Sequence, residues 1–178
     1  MNYDVIIVGG GPAGLFSAYY LSEHSAKSVL LIDKGKVSQK RNCPIKSYHE
    51  CIKCKPCNIL SGIGGAGLFS DGKLNYIYKL GKTDLSQFMS LHQAEKLIDE
   101  TEEIFNKFGM DGPAYPTDME EAREIRKRAK RYGIDLLIIK QKHLGSDRLP
   151  EHIACMADYI KSKGVVIHTS EEVKEVLI

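Results

Sequence analysis

A glycine-rich turn near the start of the chain has the residue types and spacing of a dinucleotide-binding site. The short apolar run Val5–Val8 predicts a buried parallel strand, and residues 9–14 (Gly-Gly-Gly-Pro-Ala-Gly) separate it from a predicted helix. In this pattern Gly9 permits the sharp turn, Gly11 lets the backbone approach a diphosphate, and Gly14 lets the helix lie close to the strand. The free N–H groups and the dipole of the helix N-terminus favour an anion there.

An acidic residue ends the next predicted strand. The apolar run Val29–Asp33 ends with the carboxylate of Asp33, about 20 residues after the last glycine. In dinucleotide-binding sites an acid at this distance binds the ribose hydroxyls. Strand, turn, helix, strand and terminal acid together are more specific than the glycines alone. NAD(P) stays an alternative ligand, although the acid at Asp33 disfavours the 2′-phosphate of NADP.

Four cysteines close together carry a second chemistry. Cys51, Cys54 and Cys57 are spaced C-x2-C-x2-C, and Cys43-Pro44 precedes them. In a loop, thiolates at this spacing could converge on a [4Fe–4S] cluster or a structural zinc. A redox-active pair, such as Cys54 with Cys57, and reduced thiols that merely pack are open alternatives. A cysteine-ligated Fe–S or zinc module for electron transfer or binding is therefore a second functional hypothesis.

A second glycine-rich segment, residues 62–75, follows the cysteines directly. Its glycines free the backbone to approach a ligand and to aim several N–H groups at it. Phe69 and the polar residues 70–73 (Ser-Asp-Gly-Lys) favour a second cofactor contact over a flexible linker.

Composition and charge limit the class of protein. The hydrophobic share of 43% in 178 residues predicts a hydrophobic core. The net charge of +2 gives no sign of a nucleic-acid or membrane partner. The chain shows neither a secretory signal nor an apolar run of spanning length. We therefore expect a cytoplasmic protein with reduced cysteines, acting on a small-molecule substrate or redox partner; the oligomeric state stays open.

Helical periodicity predicts three helices after the cysteine and glycine segments. They cover residues 91–108, 119–132 and 149–160. Ser90 and Thr117 are the predicted caps of the first two helices, and Asp147 that of the third. Apolar runs predict strands over residues 134–139 and 165–167.

The predicted fold class is α/β, with an incomplete parallel sheet and an inserted, mostly helical region. Residues 1–83 form the dinucleotide-binding βαβ unit with the Cys/Gly-rich loop, and residues 84–148 form the insertion with one short strand. Residues 149–178 return to the first sheet as a helix and a strand. The chain stops within an apolar element, so we expect an N-terminal fragment of a longer protein.

These motifs resemble a known group. Residues 3–35 resemble the opening of the two-domain flavoproteins of the glutathione reductase type, which bind FAD there. More narrowly, Cys43-Pro44, the cysteines of 51–57, the stretch 62–75 and residues 143–147 (His-Leu-Gly-Ser-Asp) resemble the uncharacterised FAD-dependent dehydrogenases, distant relatives of the geranylgeranyl reductases.

The resemblance implies an FAD-dependent oxidoreductase that moves hydride or electrons through the flavin on a Rossmann-like sheet. Residues 165–167 would be the third parallel strand, and Val173 would begin a small antiparallel meander. The implied FAD-binding residues are Gly9, Gly11, Pro12, Ala13, Gly14, Asp33, Lys34, Gly64, Gly65, Ala66, Gly67, Ser70, Asp71, Gly72 and Lys73. Members of this group continue past residue 178, so a catalytically silent fragment is a further alternative; no catalytic residue is assigned.

Overall fold

The computed structural model describes residues 2–145 and 147–177, which form two compact units. One unit comprises the described residues of Met1–Ser70 and Ser146–Ile178, and the other is Asp71–Gly145. Ser146 of the 143–147 motif and the terminal Ile178 lie outside the described residues. In chain order the elements are β1 (Val5–Val8), α1 (Pro12–His24), β2 (Val29–Asp33), α2 (Ile45–Tyr48), β3 (Lys73–Tyr76), β4 (Lys79–Leu80), β5 (Thr83–Asp84), α3 (Leu91–Lys107), β6 (Ala114–Tyr115), α4 (Met119–Lys130), β7 (Lys140–His143), α5 (Leu149–Ser162) and β8 (Val166–Thr169).

The first unit is built on a three-stranded parallel sheet in the order β1-β2-β8. Val5 pairs with Val29, and Leu30 pairs with Val166, so the predicted βαβ unit and the return of the chain to the same sheet are both confirmed. Helix α1 packs on β1 and β2, and α5 packs on α1. The fold is therefore mixed α/β with a Rossmann-like parallel sheet.

The prediction that Val5–Val8 is a buried strand is only half right. The strand is parallel, but Ile6 is 57% exposed and Val8 is 61% exposed. The reason lies in its position: β1 is one of the two edge strands, and α1 is the helix that makes its main contacts with it in the described residues. A run of apolar residues in sequence does not show whether both faces are covered.

The second unit contains a small antiparallel sheet in the order β3-β7-β6 and a short hairpin of β4 and β5. The predicted strand at 134–139 is wrong: that apolar stretch has no regular structure, and the strand follows it at Lys140–His143. This polar strand buries Lys142, whose ammonium pairs with Glu102 at 3.2 Å and donates to Asn106 at 2.5 Å. Specific partners on α3 make its burial tolerable.

The predicted helices are confirmed, but two of their caps are corrected. Ser90 caps α3 in the predicted capping box. Asp118, not Thr117, caps α4, because its carboxylate accepts from the N–H groups of the second and third helical residues. Helix α5 begins after Arg148 with no side-chain cap among the described residues, so Asp147 does not serve as one; Pro150 in its first turn has no N–H to be capped.

The expected meander from Val173 is also not formed, since described residues 171–177 carry no strand. No helix in the described ranges combines the length and the apolarity needed to cross a bilayer.

Candidate dinucleotide-binding site

The first glycine-rich turn is fixed by bonds to the end of β2. The Gly9 N–H donates to the Ile32 carbonyl at 2.8 Å, and the Gly10 N–H donates to the Asp33 carboxylate at 2.7 Å. Gly9 has a φ of +104°, which L side chains rarely adopt. The amides of Gly9 and Gly10 are thus used internally, so the donors left for a diphosphate begin at Gly11.

Helix α1 starts with unused donors. Gly11 is its N-cap residue in extended conformation, and no side chain among the described residues caps the helix. The N–H groups of Gly11, Ala13 and Gly14 find no acceptor among the described residues. The first turn of the helix holds no acidic residue. Such a helix start attracts an anion through its amides and dipole.

Gly14 holds the helix against the strand end. A Cβ built at this position would lie 1.9 Å from the Gly9 carbonyl oxygen and 3.4 Å from Cγ2 of Ile7. Both Gly9 atoms that such a Cβ would meet belong to the backbone, so no side-chain rotation could relieve the overlap. The predicted close approach of helix and strand is present, and only glycine permits it.

The second glycine-rich segment lies directly on the first. The Gly64 N–H donates to the Gly10 carbonyl at 2.8 Å. A Cβ on Gly65, whose φ is +61°, would come within 3.1 Å of the Gly11 Cα and 3.3 Å of the Pro12 ring. The backbone of residues 64–65 therefore forms a second wall beside the start of α1, where the sequence predicted a further ligand contact.

Arg41 supports the second glycine-rich segment, a role that the sequence did not predict. It is 5% exposed, and its guanidinium lies 5.0 Å from the centre of the Phe69 ring. Its N–H groups donate to the backbone carbonyls of Asn58 (2.9 Å), Ile59 (2.5 Å), Ile63 (2.8 Å) and Gly65 (2.8 Å). Burial lowers the pKa of Arg41, while the charge of Asp33 opposes this. The buried Arg41 thus holds together the backbone of residues 58–65, which includes Gly64 and Gly65.

A cavity of about 290 Å³ opens beside Asp33. Its lining includes Gly9, Asp33, Lys34, Ser61 and Glu172. Asp33 is 9% exposed, and its second carboxylate oxygen accepts from the Gly35 N–H at 2.7 Å. Each oxygen keeps a further lone pair for a hydroxyl group, since a carboxylate accepts about four hydrogen bonds.

The other predicted cofactor residues are more exposed or lie in the second unit. Ala66, Gly67 and Ser70 are exposed, and the Ser70 hydroxyl donates to the Gly67 carbonyl at 2.7 Å. Asp71, Gly72 and Lys73 belong to the second unit. There Lys73 pairs with Asp71 at 2.8 Å, which lowers the pKa of Asp71, and the Gly72 carbonyl accepts from Leu144. A cofactor role for these residues stays a prediction.

The predicted metal ligands are not brought together. Cys43, Cys51, Cys54 and Cys57 are free thiols, and Cys51 is exposed while the other three are partly buried. Within residues 2–145 and 147–177, no three or more His, Cys, Asp or Glu side chains are grouped so that they could hold a metal ion. A loop of this spacing can converge on a metal, but in the described residues at most two of these thiols share one lining, that of Cys54 and Cys57.

Comparison with known proteins agrees with the ligand that the turn predicts. Residues 4–42 match the model of the DAO family, FAD dependent oxidoreductase. The matched part contains β1, the glycine turn, α1, β2 and Arg41. This is the portion of the chain in which the donors and the acid of the site are found.

Relatives of the chain include several oxidoreductases. The chain is 59% identical over 30 residues to ferredoxin–NADP reductase of Levilactobacillus brevis, covering 17% of this chain and 9% of that protein. It is 30% identical to digeranylgeranylglycerophospholipid reductase of Methanococcus vannielii, over 60% of this chain and 33% of the relative. The solved L-amino acid deaminase from Proteus vulgaris aligns with 95% of this chain and 40% of its own, at 20% identity and a TM-score of 0.46. The chain thus spans a third or less of the curated relatives it matches.

Proposed function

We propose that the first unit binds FAD and that the protein works as an FAD-dependent oxidoreductase. The observation that carries the proposal is the start of α1, where the amides of Gly11, Ala13 and Gly14 lack acceptors within the described chain and face no acidic side chain of their own turn. These amides would hold the diphosphate. The match of residues 4–42 to the FAD dependent oxidoreductase family supports FAD as the dinucleotide.

The residues present fit this cofactor. A Cβ built at Gly9 meets no atom within 4 Å, so the turn has open space beside it, and at Gly11 the nearest atom is the Gly65 Cα at 3.8 Å. Larger residues at these positions would fill the space that a diphosphate needs. The cavity beside Asp33 and Lys34 would take the adenosine ribose, with Asp33 accepting from its hydroxyl groups.

When bound, FAD supplies hydride or electron transfer, and the protein supplies position and electrostatics. Gly64 and Gly65 would flank the cofactor next to Gly11, and Ala66, Gly67 and Ser70 of the same unit would follow on the flavin side. The substrate is a small molecule or a redox partner. A cysteine-ligated metal module is less favoured, because the comparisons find flavin-dependent proteins and the described cysteines form no metal-holding group.

The test uses the exposed residue Ala13, which lies in the first turn of α1. Ala13→Glu places a negative charge at the helix N-terminus, where it favours the helix but repels a diphosphate. We expect FAD affinity, measured by quenching of flavin fluorescence, to fall about tenfold, which corresponds to about 1.4 kcal/mol. Ala13→Gln has the same shape without the charge and is the matched control.

Three outcomes would contradict the proposal. If the wild-type chain is folded, as judged by circular dichroism, and yet binds no FAD, then FAD is not its ligand. Equal FAD affinity for Ala13→Glu and wild type would place the diphosphate elsewhere. Binding of NADH and not of FAD would overturn the assignment of FAD as the cofactor.

A further inference from the structure

Two cysteines that the proposed flavin site does not use line one cavity. Cys54 and Cys57 border a space of about 450 Å³ together with Lys34, Lys55 and Glu172. Both thiols are free and partly buried, so a small reagent in the cavity can reach them. Cys51 and Cys155 are exposed and do not belong to this lining.

A bend of the backbone lies between these two cysteines. The chain bends at Lys55 and Pro56 and is not helical there. On a helix, residues three apart are offset by about 60° around the axis, whereas a bend can turn the first and fourth side chains towards each other. A disulfide between Cys54 and Cys57 needs Cα atoms about 4.4–6.8 Å apart, a spacing that a bend of this length can reach.

The charges around the cavity suit an anionic disulfide compound. Lys34 and Lys55 supply two cationic groups to its lining, against the one carboxylate of Glu172. A peptide-like disulfide with free carboxylates, such as glutathione disulfide, matches this lining by charge.

We propose that Cys54 and Cys57 form a redox-active dithiol that exchanges with low-molecular-weight disulfides. One thiolate attacks a sulfur of the disulfide RSSR and releases RS⁻, which takes up a proton. The second thiolate then attacks the mixed disulfide, forms the Cys54–Cys57 bond and releases the second RSH. The dithiol loses two electrons and two protons, and RSSR gains them as two RSH.

This site is separate from the FAD proposal, but the two share a structural element. The carbonyls of Asn58 and Ile59, which directly follow Cys57, are bonded to Arg41. Lys34 lines both this cavity and the one beside Asp33. Oxidation of the dithiol therefore changes the chain next to Asn58 and Ile59, which Arg41 links to the backbone of residues 64–65.

The experiment equilibrates the wild-type protein in glutathione buffers of graded redox ratio, alkylates the remaining thiols and maps tryptic peptides by mass. Trypsin cleaves after Lys53 but not between Lys55 and Pro56, so Cys54 and Cys57 stay on one peptide while Cys43 and Cys51 fall on others. We expect this peptide alone to lose two hydrogens and to escape alkylation as the buffer becomes oxidising.

Variants show which cysteine attacks the disulfide compound and which one resolves the mixed disulfide. Cys57→Ser should stop at a mixed disulfide between Cys54 and glutathione, whereas Cys155→Ser should leave the internal disulfide unchanged. The proposal is overturned if the peptide of Cys54 and Cys57 stays doubly alkylated at every ratio, or if its disulfide joins it to the peptide of Cys43 or Cys51. Because the wild-type map decides this, the result does not depend on a variant that folds.

Discussion

Replacing Gly14 by alanine tests whether the close approach of α1 and β1 builds the site. The added Cβ would lie 1.9 Å from the Gly9 carbonyl oxygen and 3.1 Å from its carbonyl carbon. An ordinary carbon–oxygen contact is about 3.3 Å or longer, so the start of the helix has to move by more than about 1 Å. Overpacking of this kind costs about 1–3 kcal/mol, and the better helix propensity of alanine offsets up to about 1 kcal/mol.

We therefore expect Gly14→Ala to be destabilised by about 2 kcal/mol. In urea unfolding followed by circular dichroism, this corresponds to a midpoint lower by about 1 M. FAD affinity should fall at least tenfold, because the shift pulls the Ala13 and Gly14 amides away from Gly11 and weakens a hydrogen bond to a charged group, worth about 1.5–3 kcal/mol.

The matched control is Gly112→Ala. A Cβ at Gly112 meets nothing within 4 Å, and its φ is not in the left-handed region. This variant should unfold at the wild-type midpoint and bind FAD normally. An unchanged midpoint and unchanged FAD affinity for Gly14→Ala would refute the reasoning, since the strand and helix would then not depend on the contact.

Two further predictions concern buried charges. Arg41→Met should be destabilised by about 3 kcal/mol in chemical denaturation, because each buried carbonyl left without a donor costs about 1–3 kcal/mol; wild-type stability would contradict the role given to this arginine. Burial opposes the charge of Glu102, but hydrogen bonds from Lys140 and Lys142 outweigh it and lower its pKa. Its contribution to stability is therefore present above the unfolded pKa near 4.5 and is lost as pH falls through the lower folded pKa. Glu102→Gln should flatten the acid limb of a plot of unfolding free energy against pH, and an identical limb would refute this.

The parts of the site that follow from local sequence were predictable. The glycine spacing, the apolar runs and the Ser90 capping box each act over a few residues, so the turn, the parallel strands β1, β2 and β8 and helix α3 could be placed. The role of Arg41 could not, because its acceptors are backbone carbonyls 17–24 residues further along the chain. No residue type marks a carbonyl as an acceptor.

The second unit shows where apolarity misleads. Residues 134–139 have the apolarity of a strand, yet the polar residues 140–143 form it, because β3 and β6 pair with them and α3 supplies partners for Lys142. Apolar content predicts burial only when the partner surface is known. The exposed side of β1 has the same origin.

The carboxylate of Asp33 joins two loops that could otherwise move apart. By accepting from Gly10 with one oxygen and from Gly35 with the other, it fastens the first glycine turn to the chain that leaves β2. The backbone around the proposed diphosphate position is therefore ordered during folding, and a dinucleotide bound there would have little conformational entropy left to remove from the protein.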